Sequence, residues 1–262
     1  MKKTKVKKTK IGKPGSEFKR SAKHAGKRPA SVKSTSGKLI VIDGTDGSGK
    51  ATQIELLRER LKSEGYKVRT VDFPEYYKNF FGKFVGHCLA EQYFNWVNIH
   101  PKIASVMYAA DRWESKGEME GWIKKGYVVL ANRYVSANQI HQGGKIKSAK
   151  KREEFLNWLS EMEYKVFGIP KPDITLYLSL PIPIVLKLIK SRNVASARAY
   201  LGKKKDVHEK DKNFLENSRK SALWLSKTLP GFIKIECSRK EEIMSREAIH
   251  EMVYKEVKKV VK

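Results

Sequence analysis

The stretch Ile42-Asp43-Gly44-Thr45-Asp46-Gly47-Ser48-Gly49-Lys50 constrains this chain more than any other. It follows Leu39-Ile40-Val41-Ile42, a continuous apolar run whose β-branched residues read as a central strand of a parallel sheet, buried on both faces. It precedes residues 51–64, where Ile54, Leu57 and Leu61 recur at helical spacing until Gly65 stops the helix. Gly44 and Gly49-Lys50 have the spacing of a Walker A loop, in the strand–loop–helix context that makes the motif credible. Gly47 and Gly49 let the main chain curl without a Cβ in the way. Successive N–H groups, from Thr45 and Asp46 through Ser48, then converge on phosphate together with the positive end of the helix. Lys50 adds a point charge near the β- and γ-phosphates, where transition-state charge spreads. The hydroxyl that usually follows this lysine is replaced by Ala51, with Thr52 one place later. Mg²⁺ then leans on the nucleotide phosphates, water and a carboxylate such as Asp43.

The rhythm continues to the C-terminus. Strands are expected at 67–71, 127–131, 174–178 and, at a sheet edge, 232–236; helices at 103–120, 153–167, 184–190, 213–227 and 241–261. The alternation predicts an α/β chain with the three-layer fold of P-loop NTPases, a central parallel sheet flanked by helices. A basic stretch at about 192–212, with Arg192, Arg198 and Lys203-Lys204-Lys205, is a candidate lid. Closing such a lid excludes water, and Arg192, at the end of a helix, would add charge over the transferring group.

Composition breaks near Gly37. Residues 1–37 hold 13 lysines and arginines against the single acid Glu17, with too few apolar side chains for a core. They read as a disordered basic extension ahead of a domain at 38–262. A net charge of +27 over 262 residues favours polyanions without choosing among nucleic acid, anionic membrane and phosphorylated small molecules. The extension itself suits weak, salt-sensitive polyanion binding. No apolar run is long enough to cross a bilayer. Cys88 and Cys237 form no CxxC pair and fit a reducing, cytoplasmic setting, although an acid-poor N-terminus leaves organellar targeting open.

A phosphate loop alone does not separate a kinase from a motor or a translocase. Arg133 follows the strand ending at Ala131, and ligands of open α/β sheets sit outside the carboxyl ends of the strands. Tyr108 and Arg112, four apart, share a helix face, where a ring and a guanidinium can hold a base and a phosphate. Asn138, His141 and Gln142 form a polar cluster just beyond, and amides can read a base edge.

Taken with Phe73-Pro74-Glu75, Tyr108-Ala109-Ala110-Asp111-Arg112-Trp113-Glu114, Asn132-Arg133-Tyr134, Gln142-Gly143 and Pro172-Asp173-Ile174-Thr175-Leu176-Tyr177-Leu178, the loop resembles that of the thymidylate kinases, from Lys38 onward. The resemblance implies transfer of the ATP γ-phosphoryl group to dTMP, giving dTDP, with Mg²⁺ and in a homodimer. It implies that Asp46 meets the acceptor ribose and Tyr108 the thymine ring, with Phe73 in an acceptor-side segment. Arg112, Arg133 and Gln142 match residues near the acceptor base and phosphate. Gly47 stands where some members carry an arginine, which gives Arg192 and Arg198 a reason to exist. Asn132 and Ala51 replace groups the family associates with the metal or its waters. Two other readings remain: a P-loop kinase for a different nucleotide or nucleoside, and a nucleic-acid-binding regulatory ATPase.

Overall fold

Leu39-Ile40-Val41-Ile42 falls within β1 (Lys38–Gly44), and its alternating side chains feed two separate cores. Ile40 and Ile42 pack with Ile54, Leu57 and Leu61 of α1 (Lys50–Ser63). Leu39 and Val41 face the other way, onto Val129, Ala131, Phe155 and Leu159. Burial on both faces is what makes the run continuously apolar.

The computed structural model describes residues 37–90, 92–93, 95–191, 211–240 and 242–261. Residues 1–36 of the expected basic extension, and 192–210, which hold Arg192, Arg198 and Lys203 to Lys205, lie outside them. The described residues form a five-stranded sheet of order β2-β3-β1-β4-β5, with β2 at Val68–Asp72, β3 at Val128–Asn132, β4 at Ile174–Ser179 and β5 at Phe232–Glu236. Every pairing in it is parallel, and β1 sits at the centre between β3 and β4. Gly65, at φ 87, ends α1: its N–H bonds to Lys62 O at 2.9 Å and that of Tyr66 to Leu61 O at 3.0 Å, closing the last turn.

Several helices differ from expectation. The segment at 103–120 is two helices, α3 (Pro101–Glu114) and α4 (Lys116–Lys124), meeting at Ser115. A helix that periodicity missed, α2 (Phe80–Leu89), precedes them; its two glycines depress local propensity. A short helix, α5 (Val135–Ala137), widens into wider turns at Asn138–Gln142. The helix expected at 153–167 starts earlier, as α6 (Ala149–Ser160) capped by Ser148, then widens into π-turns at Glu161–Val166. After α7 (Ile182–Lys190) and α8 (Lys212–Thr228), a hairpin of Ser238–Arg239 with Glu242–Ile243 takes the start of the expected closing helix. That helix, α9, runs Arg246–Val260 from a Ser245 cap.

Candidate active site

The carboxyl end of β1 opens into the glycine loop. Gly47 and Gly49 take left-handed φ values of 86 and 88, and Lys50 is the first residue of α1. Lys50 Nζ donates to Gly44 O at 2.9 Å and Thr45 O at 3.0 Å and lies 3.8 Å from Asp46 Oδ1, which poises it at the loop. Asp43 is fully buried; its Oδ1 accepts the Gly44 N–H at 2.7 Å and its Oδ2 the Ser136 hydroxyl at 2.6 Å. Whatever it does for a metal, it braces the first residue of the loop. The loop from Asp46 to Thr52 lines one cavity with Asn132 from the end of β3 and Arg246 from the start of α9. Arg246 carried no sequence signal, because the hairpin that delivers it reads as the polar start of a helix.

Arg133 joins this cavity to a second one. Directly after β3 its backbone is left-handed, at φ 63, and its N–H donates to Ile42 O at 3.0 Å. A non-glycine residue in that region is uncommon and collects at functional sites. Its Nη2 donates to Asp46 Oδ1 at 2.5 Å, and its Nη1 lies 3.0 Å from His141 Nε2. Arginine can only donate, so His141 Nε2 accepts. The ring proton therefore sits on Nδ1, 3.1 Å from Ser218 Oγ. His141 is stacked on Phe214 at 5.7 Å, with Nε2 turned to Arg133.

All the expected acceptor-side residues line that second cavity: Asp46, Phe73, Tyr108, Arg112, Arg133, Asn138, His141 and Gln142. The Tyr108 hydroxyl accepts the Trp96 indole N–H at 3.0 Å, which fixes the ring. Gln142 Oε1 is buried without a hydrogen-bond partner among the described residues. Arg112 is only 2% exposed and is held by the buried carboxylate of Glu163, Nε at 2.7 Å and Nη2 at 2.6 Å. Burial works against its charge, and Glu163 more than offsets this, raising the guanidinium above its ordinary pKa. Glu163 and Tyr76, which lines both cavities, were not legible in the sequence.

The wall formed by residues 73–76 is anchored on Asp111. Its carboxylate accepts the Glu75 N–H at 3.2 Å and Asn79 Nδ2 at 3.2 Å. Burial pushes its carboxyl up to about 6, against the opposing pull of Arg112 and the Asn79 bond. A carboxyl raised above its unfolded value binds its proton more tightly in the folded chain, so its favourable contribution is fully present only below the unfolded pKa. Stability then falls by about 3 kcal/mol between roughly pH 4 and pH 6. In urea unfolding, Asp111→Asn is expected to gain about that much relative to the parent between about pH 4 and pH 7. A constant gap would contradict the assignment.

A strand, a curled loop and a lysine at the root of a helix, facing an arginine-lined cavity across Asp46 and Arg133, define a P-loop phosphotransferase. Comparison with known proteins narrows the class. The chain belongs to the thymidylate kinase family, whose model, "Thymidylate kinase", matches residues 42–249. It is 30% identical to a thymidylate kinase of Thermosipho africanus over 201 residues, 76% of this chain and 89% of that protein. It is likewise 30% identical to one from Caldanaerobacter subterraneus subsp. tengcongensis over 230 residues, 86% of this chain and 97% of the relative. A solved thymidylate kinase from Candida albicans shares the fold, with a TM-score of 0.64 at 20% identity, covering 85% of this chain and 92% of that one.

Proposed function

We propose that this chain transfers the γ-phosphoryl group of ATP to dTMP, giving dTDP and ADP. The observation that carries the reading is the shared wall: Asp46 and Arg133 line both the phosphate-loop cavity and the cavity of acceptor-side residues. A donor on the loop and an acceptor beside Arg133 therefore meet across a single guanidinium. The acceptor phosphate is already a nucleophile at neutral pH, so positioning and charge do the work that a general base would do for a neutral hydroxyl. Lys50 and Arg133 supply that charge, with Arg192 as a further proposed contributor from the lid.

Magnesium fits the donor side. Thr45 Oγ1, Ser48 Oγ and Asn132 Oδ1 are buried oxygens without a hydrogen-bond partner among the described residues. They are hard, neutral groups suited to an ion that keeps several waters. Bound with ATP, the ion neutralises charge on the β- and γ-phosphates.

Further parts of the proposal concern assembly and place. Phe80 of α2 and Ile103 and Trp113 of α3 are large exposed apolar side chains on two helices packed against each other, surface that a second copy of the chain would cover. A sedimentation mass of two chains is expected, and a monomer at micromolar concentration would count against it. Residues 1–37 would add salt-sensitive polyanion contact, read as earlier elution from heparin once they are removed. Among the described residues no helix is long and apolar enough to cross a membrane. Both cysteines are buried and free, as a reducing, cytoplasmic setting would keep them.

An ADP-release panel of dTMP, dUMP, UMP, CMP, dAMP and dGMP with ATP and Mg²⁺ tests the acceptor. Release is expected to be fastest with dTMP. Failure of every acceptor to raise release above the ATP-only rate would defeat the reading.

A further inference from the structure

Between α6 and α8 lies a third cavity, of about 730 Å³, that shares no lining residue with the donor and acceptor cavities. Small-molecule sites typically enclose roughly 300–1,000 Å³. Side chains alternate along β4, so that Leu176 packs into the core with α1 and Tyr177 packs with Leu225 and Phe232. Thr175, two residues before Tyr177, therefore points to the same side, into the cavity. Gln139 meets it from the turns after β3, and Trp224 of α8 and Tyr164 of the π-turn supply aromatic walls.

Thr175 is 7% exposed and Gln139 9%, yet neither side chain has a hydrogen-bond partner among the described residues. The bond that Ser221 makes to Gln139 goes to its main-chain oxygen. Polar side chains so deeply buried are normally paired, and here two unpaired ones share one cavity wall. The charges around them largely cancel. Asp173 is answered by Lys38 Nζ at 3.0 Å and by the Leu39 N–H at 2.9 Å, which leaves Glu153 and Lys171, one of each sign. Lys171 lies over the Tyr164 ring, 5.5 Å from its centre. A phosphate would find no cradle of the kind the Lys50 loop provides. A carboxamide and a hydroxyl both donate and accept, and so suit the mixed donor–acceptor edge of a heteroaromatic ring. Stacking walls beside such an edge describe an uncharged nucleoside.

The same cavity touches the phosphate loop. Ser136 lines it, and its hydroxyl donates to Asp43 Oδ2 at 2.6 Å. The other oxygen of Asp43 accepts the Gly44 N–H at 2.7 Å. Two hydrogen bonds thus join the cavity wall to the first glycine of the loop. We propose that this cavity is a second ligand site, which takes an uncharged nucleoside and transmits its occupancy to the phosphate loop through Ser136 and Asp43.

Equilibrium dialysis of the full chain against labelled uridine and adenosine tests the site, with excess ADP and dTMP to occupy the other two cavities. One nucleoside is expected to bind per chain. Thr175→Val removes a hydroxyl that bonds to nothing in the protein, so thermal stability should not change. Nucleoside binding should weaken about 10-fold, the worth of one hydrogen bond to a buried group. Gln139→Leu is expected to show the same loss. Uridine should also shift the KM for ATP by about 5-fold or more in the unaltered chain, and in Ser136→Ala it should bind without that shift. Retention of neither nucleoside at millimolar concentration overturns the proposal and leaves a water-filled cleft. Equal retention by the unaltered chain and both cavity variants overturns it too, because binding then lies elsewhere. Uridine that binds here without moving the KM for ATP overturns the link to the loop. The dialysis needs no turnover, so its result stands apart from the reading of the acceptor.

Discussion

Lys50→Ala is expected to lower kcat for phosphoryl transfer by about 10²–10³-fold, equivalent to about 3–4 kcal/mol of transition-state stabilisation. The ammonium is anchored on Gly44 O and Thr45 O, so it is placed by the loop itself; on the proposed reading it meets the charge that develops on the donor phosphates. The loop amides and the helix end survive the substitution, and acceptor KM should change little because the acceptor-side residues are untouched. Circular dichroism and thermal unfolding guard against a folding artefact, since the bonds to Gly44 O and Thr45 O and the contact with Asp46 are lost with the ammonium. Steady-state turnover within a factor of a few of the parent would contradict the role of Lys50.

The second large effect falls on stability. Glu163→Ala removes the partner of a guanidinium that is 2% exposed, and is expected to cost about 3–5 kcal/mol in urea unfolding. The cost arises from leaving Arg112 charged and buried, not from the intrinsic worth of the pair. Replacing both Arg112 and Glu163 with methionine should therefore recover much of the loss, as buried pairs often tolerate apolar exchange. Acceptor turnover should stay impaired in that double variant, because an arginine lining the proposed acceptor cavity is gone. Recovery of turnover along with stability would make the pair structural only.

How much of this could be read from the sequence depended on whether the signal was local. The strand, loop and first helix were legible because apolar run, glycine spacing and helical period occupy one continuous segment. Arg112, Asn138 and Gln142 were legible as site candidates, and the fold gathers them with Arg133 and Tyr108 in one cavity. Glu163 was not, for a physical reason: a glutamate on an amphipathic helix reads as solvated, and its partner Arg112 is 51 positions away. Only the π-turn after α6 and the packing of α3 bury it. The contacts of His141 were hidden in the same way, because the Ser218 and Phe214 it meets come from a helix far along the chain. The left-handed backbone of Arg133 left no trace either, since nothing in the residue itself requires it.

Phosphorus-31 NMR of the full chain with ATP, Mg²⁺ and dTMP tests most directly whether the donor loop and acceptor cavity work as one site. The resonances of dTDP and ADP should grow together in equal amounts, with no matching rise of inorganic phosphate. ATP consumed to ADP and inorganic phosphate without a dTDP signal would show that no phosphoryl group crosses from the loop to the cavity beside Arg133, and the account would fail.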